Sequence, residues 1–167
     1  NGSSNMIIQD ADGTAIVLYT SGFAADNGLA LGDEIIVRGT RDTYYGLNEL
    51  VGLTLLAVVQ SDVEVLVHTD VTVADIVADM PGYQGHNVIL NDLVVVAMDY
   101  EAKSGYIVLG DGAGNNIIFG AYQIPYALDL WTVGDLVDLS VIVYDVYYDG
   151  NRVIVYKYPA YEGETDL

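Results

Sequence analysis

An all-β chain made of two consecutive copies of one small barrel unit is the fold class predicted, and three observations predict it. Runs of β-branched and aromatic residues, broken by Gly, Asn and Asp, fill the sequence. Helical periodicity is nearly absent, and three short landmarks recur in the same order at an almost constant spacing.

The first landmark is a hairpin. Ile7-Ile8-Gln9, the turn Asp10-Ala11-Asp12-Gly13 and the strand Thr14-Ala15-Ile16-Val17-Leu18 match Val108-Leu109-Gly110, Asp111-Gly112-Ala113-Gly114 and Asn115-Asn116-Ile117-Ile118-Phe119. The Asp and Gly residues supply the backbone conformations that a tight turn requires. The second is an apolar residue, a Gly-Asp turn and a new strand: Leu31-Gly32-Asp33-Glu34-Ile35-Ile36-Val37 over Val133-Gly134-Asp135-Leu136-Val137-Asp138-Leu139. The third is a tyrosine hairpin, Tyr44-Tyr45-Gly46-Leu47 over Tyr147-Tyr148-Asp149-Gly150. Across the three, the offset drifts only from 101 to 103.

Between the copies the pattern changes. Thr72 is an N-cap candidate for a short helix over 73–79, which Pro81-Gly82 ends. A weaker helix is expected over 125–130. The boundary falls within 61–70, and the units are drawn as 1–65 and 66–167. The copies are unequal. In the second, Asn87-Val88-Ile89-Leu90 and Leu93-Val94-Val95-Val96-Ala97-Met98 make a long strand ahead of the hairpin. In the first, only Asn1-Gly2-Ser3-Ser4-Asn5 precede it, too few and too polar for such a strand. The first unit therefore lacks its first strand within this sequence.

Bulk properties exclude several classes. Hydrophobic content of 52% supports a packed core and argues against disorder. No uncharged apolar run is long enough to span a membrane. With 24 acidic residues against 5 basic ones the net charge is −19, which disfavours strong binding to a phosphate backbone. There is no cysteine, hence neither a disulfide framework nor a thiolate metal site. A start at Asn1 without an initiator Met reads as a mature, processed or excised chain.

The segments Ile8-Gln9-Asp10 with Gly13 and Ile16-Val17-Leu18-Tyr19, then Leu29 through Thr40, then Tyr45-Gly46-Leu47-Asn48-Glu49-Leu50 carry a resemblance. They resemble the OB-fold-like modules of secreted and surface bacterial proteins, often in tandem and often beside extracellular nuclease domains. The resemblance covers nearly all of the first copy. In the second, Ser140-Val141-Ile142-Val143 replaces the ending of the motif. It implies two tandem five-stranded OB-like barrels, the first without its own first strand, and an extracellular or cell-surface location.

Candidate sites follow from residue chemistry. Arg38, Arg41, Tyr44 and Tyr45 combine cations with aromatic rings, the pairing a ligand-binding OB face uses. Asp33, Glu34, Asp42 and Glu49 offset the two arginines. Tyr144, Tyr147, Tyr148, Tyr156 and Tyr158 concentrate on the final hairpin as a protein or glycan contact surface. Asp10 and Asp12 open like a calcium loop but lack its remaining ligands, so calcium is the sole cofactor candidate and an Asp-Gly turn the plainer reading. His68 and His86 are far apart in sequence and have no Cys partner, which disfavours zinc. The glycines of Gly110, Gly112 and Gly114 precede a strand, which excludes a dinucleotide loop.

No catalytic constellation stands out, so an enzyme is not expected. The expected function is a non-catalytic extracellular structural or interaction protein. It assembles with copies of itself, or with adjacent domains, by β-strand complementation at the open first unit, as in a filament or surface layer. The run Val153-Ile154-Val155-Tyr156 and the tail 159–167 lie at the opposite end, where a contact with a neighbour would form. The alternative is an accessory binding module for nucleic acid or glycan, cut from a larger secreted protein such as an extracellular nuclease.

Overall fold

A computed structural model describes residues 5–99, 106–120, 131–148 and 151–157. They form two antiparallel-rich sheets with little helix between them. In chain order the elements are β1 (Asn5–Gln9), β2 (Ala15–Tyr19), α1 (Phe23–Asn27), β3 (Glu34–Tyr44) and β4 (Leu47–Gln60), then α2 (Val73–Ala78) and α3 (Met80–Tyr83). The remainder are β5 (Asn87–Asp99), β6 (Tyr106–Gly110), β7 (Asn116–Gly120), β8 (Leu136–Tyr148) and β9 (Asn151–Lys157). The expected helix over 125–130 lies outside the described residues.

The second sheet closes on itself in the order β5-β6-β7-β9-β8, because β5 pairs with both β6 and β8. The first sheet has the order β1-β2-β4-β3 and does not close. Each contains one parallel contact, Leu18 beside Leu50 in the first and Phe119 beside Val155 in the second. Strand β6 follows β1 by 101 residues at both ends, and so does β7 after β2.

The turns match down to single hydrogen bonds. Asp10 N–H donates to Thr14 O (3.0 Å), and Asp111 N–H donates to Asn115 O (3.1 Å). Ahead of β3, Asp33 Oδ2 accepts from Ala30 N at 2.7 Å; ahead of β8, Asp135 Oδ2 accepts from Thr132 N at 2.7 Å. Gly32 and Gly134, at φ 88° and 101°, take left-handed conformations that side chains resist. The tyrosine hairpin of the first sheet turns through Tyr45 (φ 47°) and Gly46 (φ 96°), the two positive angles a two-residue hairpin turn requires.

Closure decides burial. Alternate residues of the barrel strands, among them Val88, Val95, Ile107, Leu109, Ile117, Phe119 and Val141, are fully buried. Val73 and Ile76 of α2 join that core. In the first sheet only β2 and the start of β4 are well covered. Adjacent residues Val17 and Leu18 point to opposite faces, and both are buried. On one face Val17 and Leu47 pack with Ile7 and with Tyr144 of β8, which seats the sheet on the barrel. Along the rest of the long β3–β4 ribbon, Ile35, Val37, Leu53 and Leu55 are only half-buried, while Ile36, Leu56 and Val59 are exposed.

The linking helix begins where expected. Thr72 accepts from Asp75 N, and the Asp75 carboxylate accepts from Thr72 N, a complete capping box. Its end differs from the sequence reading. Asp79 caps a new turn by accepting from Gly82 N, so Pro81-Gly82 lies inside α3. Proline is tolerated there because a first-turn N–H has no helical partner to lose. Helix α1 was not expected; one turn is too short for periodicity to show, and it is anchored by buried Phe23.

Candidate functional site

The first sheet presents two strand edges without a ladder partner among the described residues. Strand β1 pairs only with β2, and β3 only with β4. The barrel strands with the same landmarks, β6 and β8, are the two that β5 bridges. The first sheet thus has the barrel's strand order with that bridge absent. An unpaired edge offers a row of backbone donors and acceptors to an incoming strand.

Among the described residues the barrel has no equivalent edge. Strand β9, which carries Val153-Ile154-Val155-Tyr156, lies between β7 and β8, so both its backbone edges are occupied. The tail 159–167 lies outside the described residues.

Of the residues singled out by chemistry, Arg38, Arg41 and Tyr44 lie on β3 and Tyr45 on its turn, all exposed. Arg38 lies opposite Thr54 and Arg41 opposite Leu50, with a shift of register between them. Arg41 Nη2 donates to Asn48 Oδ1 at 3.0 Å. Tyr44 and Tyr45 meet edge to face with centroids 4.7 Å apart. Asp10 and Asp12 use carboxylate oxygens inside the β1–β2 turn, accepting from Asp12 N (3.3 Å) and Thr14 N (3.1 Å). A side-chain hydrogen bond with Asp10, and then the bond from Thr14 N, hold the Asp12 carboxyl below its ordinary range. Among the described residues no three His, Cys, Asp or Glu side chains converge as a metal would need. Tyr144 packs inward against Val17 and Leu47. Tyr147, Tyr148 and Tyr156 belong to β8 and β9, their side chains lying outside the described set together with all of Tyr158.

The junction between sheet and barrel contains what residue types alone did not reveal. Gln84, buried, accepts at Oε1 from Asn48 N (3.1 Å) and Asn48 Nδ2 (2.8 Å), and its Nε2 donates to Gly46 O (2.8 Å). Its amide therefore holds the tyrosine hairpin to the barrel. Nearby Glu49 is buried, and its carboxyl is pushed up by desolvation and by the charge of Asp42.

On the other side of the junction His68 and His86 come within 4.9 Å, and Tyr83 lies 5.5 Å from His86. His68 forms a parallel bridge with Val88 beside the start of β5, and its ring lies against Gly13 of the β1–β2 turn. His68, Tyr83 and His86 line an open cleft of about 480 Å³ with Asp12, Asp70, Asp75 and Asp79. Burial and the neighbouring His68 push the His86 imidazole down from its ordinary value. Sequence offered no signal for this pair, because the fold and not a motif brings the two rings together.

No protein-family model matches this chain, and no curated protein sequence matches it.

Proposed function

We propose that the chain is a non-catalytic extracellular structural or interaction protein made of two OB-type units, the first of which accepts a β-strand from a neighbouring copy. One observation carries the reading: the first sheet repeats the barrel's strand order without the strand that bridges its edges, leaving one edge each of β1 and β3 without a ladder partner among the described residues. The matched turns and the 101-residue spacing of the paired strands support treating the units as copies. The half-buried Ile35, Val37, Leu53 and Leu55 give the missing strand an apolar surface to cover. Strand addition supplies main-chain hydrogen bonds for affinity and alternate side chains for specificity. The extracellular placement and the prospect of a filament or surface layer rest on the resemblance of the first copy to secreted OB-like modules.

Light scattering after size exclusion, together with electron microscopy, tests it. Concentration-dependent oligomers, with β1 and β3 amides gaining protection from hydrogen exchange, are expected. A chain that stays monomeric at every concentration, with those amides exchanging freely, overturns self-assembly. A second reading, a binding module for nucleic acid or glycan, draws on the exposed Tyr44 and Tyr45 beside Arg38 and Arg41. It requires low-salt binding that is lost on combined Tyr44→Ala and Tyr45→Ala.

A further inference from the structure

The two unpaired edges approach one another where β3 begins and β1 ends, and a piece of this chain already crosses there. Strand β4 ends with Gln60 opposite Glu34. The chain turns through Asp62 at φ 63°, and Val63 N–H donates to Gly32 O at 2.8 Å, just ahead of β3. Three residues later Leu66 O accepts from Gln9 Nε2 at 3.2 Å, at the last residue of β1. Residues 62–67 also alternate as a strand would: Val63, Val65 and Val67 are half-buried while Asp62, Glu64 and Leu66 are exposed.

In the barrel the same crossing is made by β5. Val94 lies opposite Gly110, the last residue of β6, and opposite Leu136, the first of β8. Val95 exchanges two backbone hydrogen bonds with the Gly134–Asp135 turn, at 2.8 and 2.9 Å. The difference is one of hold. Strand β5 is laddered along its length, to β8 from Asn87 to Val94 and to β6 from Val94 to Asp99, whereas 62–67 forms no ladder with β1 or β3.

We infer that residues 62–67 are a displaceable strap lying at the crossing point of the missing strand, and that a strand from a second copy pairs with β1 and β3 by lifting it. The inference rests on the strand-acceptor reading above and adds a gate to it. A second copy is the occupant because the chain itself encodes the chemistry such edges take: β5 alternates branched aliphatic residues and closes the strands that share the landmarks of β1 and β3. Until that strand arrives, the strap covers part of an edge that would otherwise invite unspecific pairing. Replacing two hydrogen bonds with two ladders favours the exchange.

The test uses the full chain and a fluorescent peptide of Asn87–Asp99 sequence as donor. Gln9→Ala removes the hold on Leu66 O, and Val63→Pro removes the N–H bonded to Gly32 O. Each variant is expected to bind the peptide roughly three- to tenfold tighter than the parent chain, the worth of one hydrogen bond. Each is also expected to self-associate at correspondingly lower concentration. In the parent chain the Val63 amide, protected when free, is expected to exchange rapidly once the peptide saturates. Should Val63→Pro fail to fold, Gln9→Ala and that amide decide the matter. Equal affinities with the Val63 amide still protected overturn the strap. Peptide binding without self-association of any chain overturns the second copy as occupant. No binding by any chain, with Trp131 fluorescence showing an intact barrel, overturns the strand-acceptor reading itself.

Discussion

Gln84 Oε1 accepts both amide groups of Asn48, the backbone N–H at 3.1 Å and the side-chain Nδ2 at 2.8 Å, while Asn48 Oδ1 accepts from Arg41 at 3.0 Å. A buried side chain thus ties the first sheet to the junction, beside the Val17 and Leu47 contact with Tyr144. Truncation by Gln84→Ala strips Gly46 O and Asn48 N of these partners inside the junction. A loss of about 1 kcal/mol is expected from these part-buried hydrogen bonds. Urea unfolding checks it. Exposed Arg41→Ala is expected to cost under about 0.5 kcal/mol by the same measurement.

The closed and open sheets are expected to differ in their tolerance of lost apolar bulk. Phe119→Ala empties a fully buried barrel position and should cost about 3–5 kcal/mol. Val37→Ala on the half-buried ribbon should cost under about 1.5 kcal/mol, since much of its surface is already hydrated. Denaturation midpoints compared at one pH decide this.

Thr72→Ala removes the capping-box hydroxyl of α2, whose Val73 and Ile76 belong to the barrel core. A destabilisation of about 1 kcal/mol is expected, read from the thermal midpoint. Thr72→Ser, which keeps the acceptor, should recover most of it.

His86 makes the fold acid-sensitive. Its folded-state value lies below the ordinary 6.5, so below that pH the unfolded chain takes up a proton that the folded chain resists. The stability it contributes is present above pH about 6.5 and is lost as pH falls toward the depressed value. Asp10 opposes the shift by its charge and the Gly13 carbonyl by hydrogen bonding. Urea unfolding at pH 7 and pH 5 should show the loss, and His86→Asn should flatten it.

Glu49 works in the opposite sense. Burial and Asp42 raise its carboxyl above the ordinary 4.5, so the ionised form that prevails at pH 7 is disfavoured in the fold. Its favourable contribution exists at low pH and disappears as pH rises through the raised value. Glu49→Gln should therefore stabilise the chain at pH 7, by up to about 1 kcal/mol, the net worth of a modest electrostatic change. The gain should shrink near pH 4.

Much of the architecture was legible because it is written in local chemistry. The Asp-Gly and Gly-Asp turns need particular backbone angles, and alternating aliphatic residues need one covered face; both requirements show in sequence. The spacing of the landmarks anticipated strands whose boundaries agree to the residue in β1 with β6 and β2 with β7.

What the sequence by itself determined was the order and type of the β elements, their turns, and the inequality of the two halves, since each depends on residues within a few positions of one another. Tertiary structure alone decided which backbone edges remain unpaired, that residues 62–67 cross between them, and that His68 meets His86 at the junction. Those outcomes depend on how a twisted sheet curls and which distant segments it brings together. Periodicity carries no record of that, because the contacts join residues whose local patterns are independent.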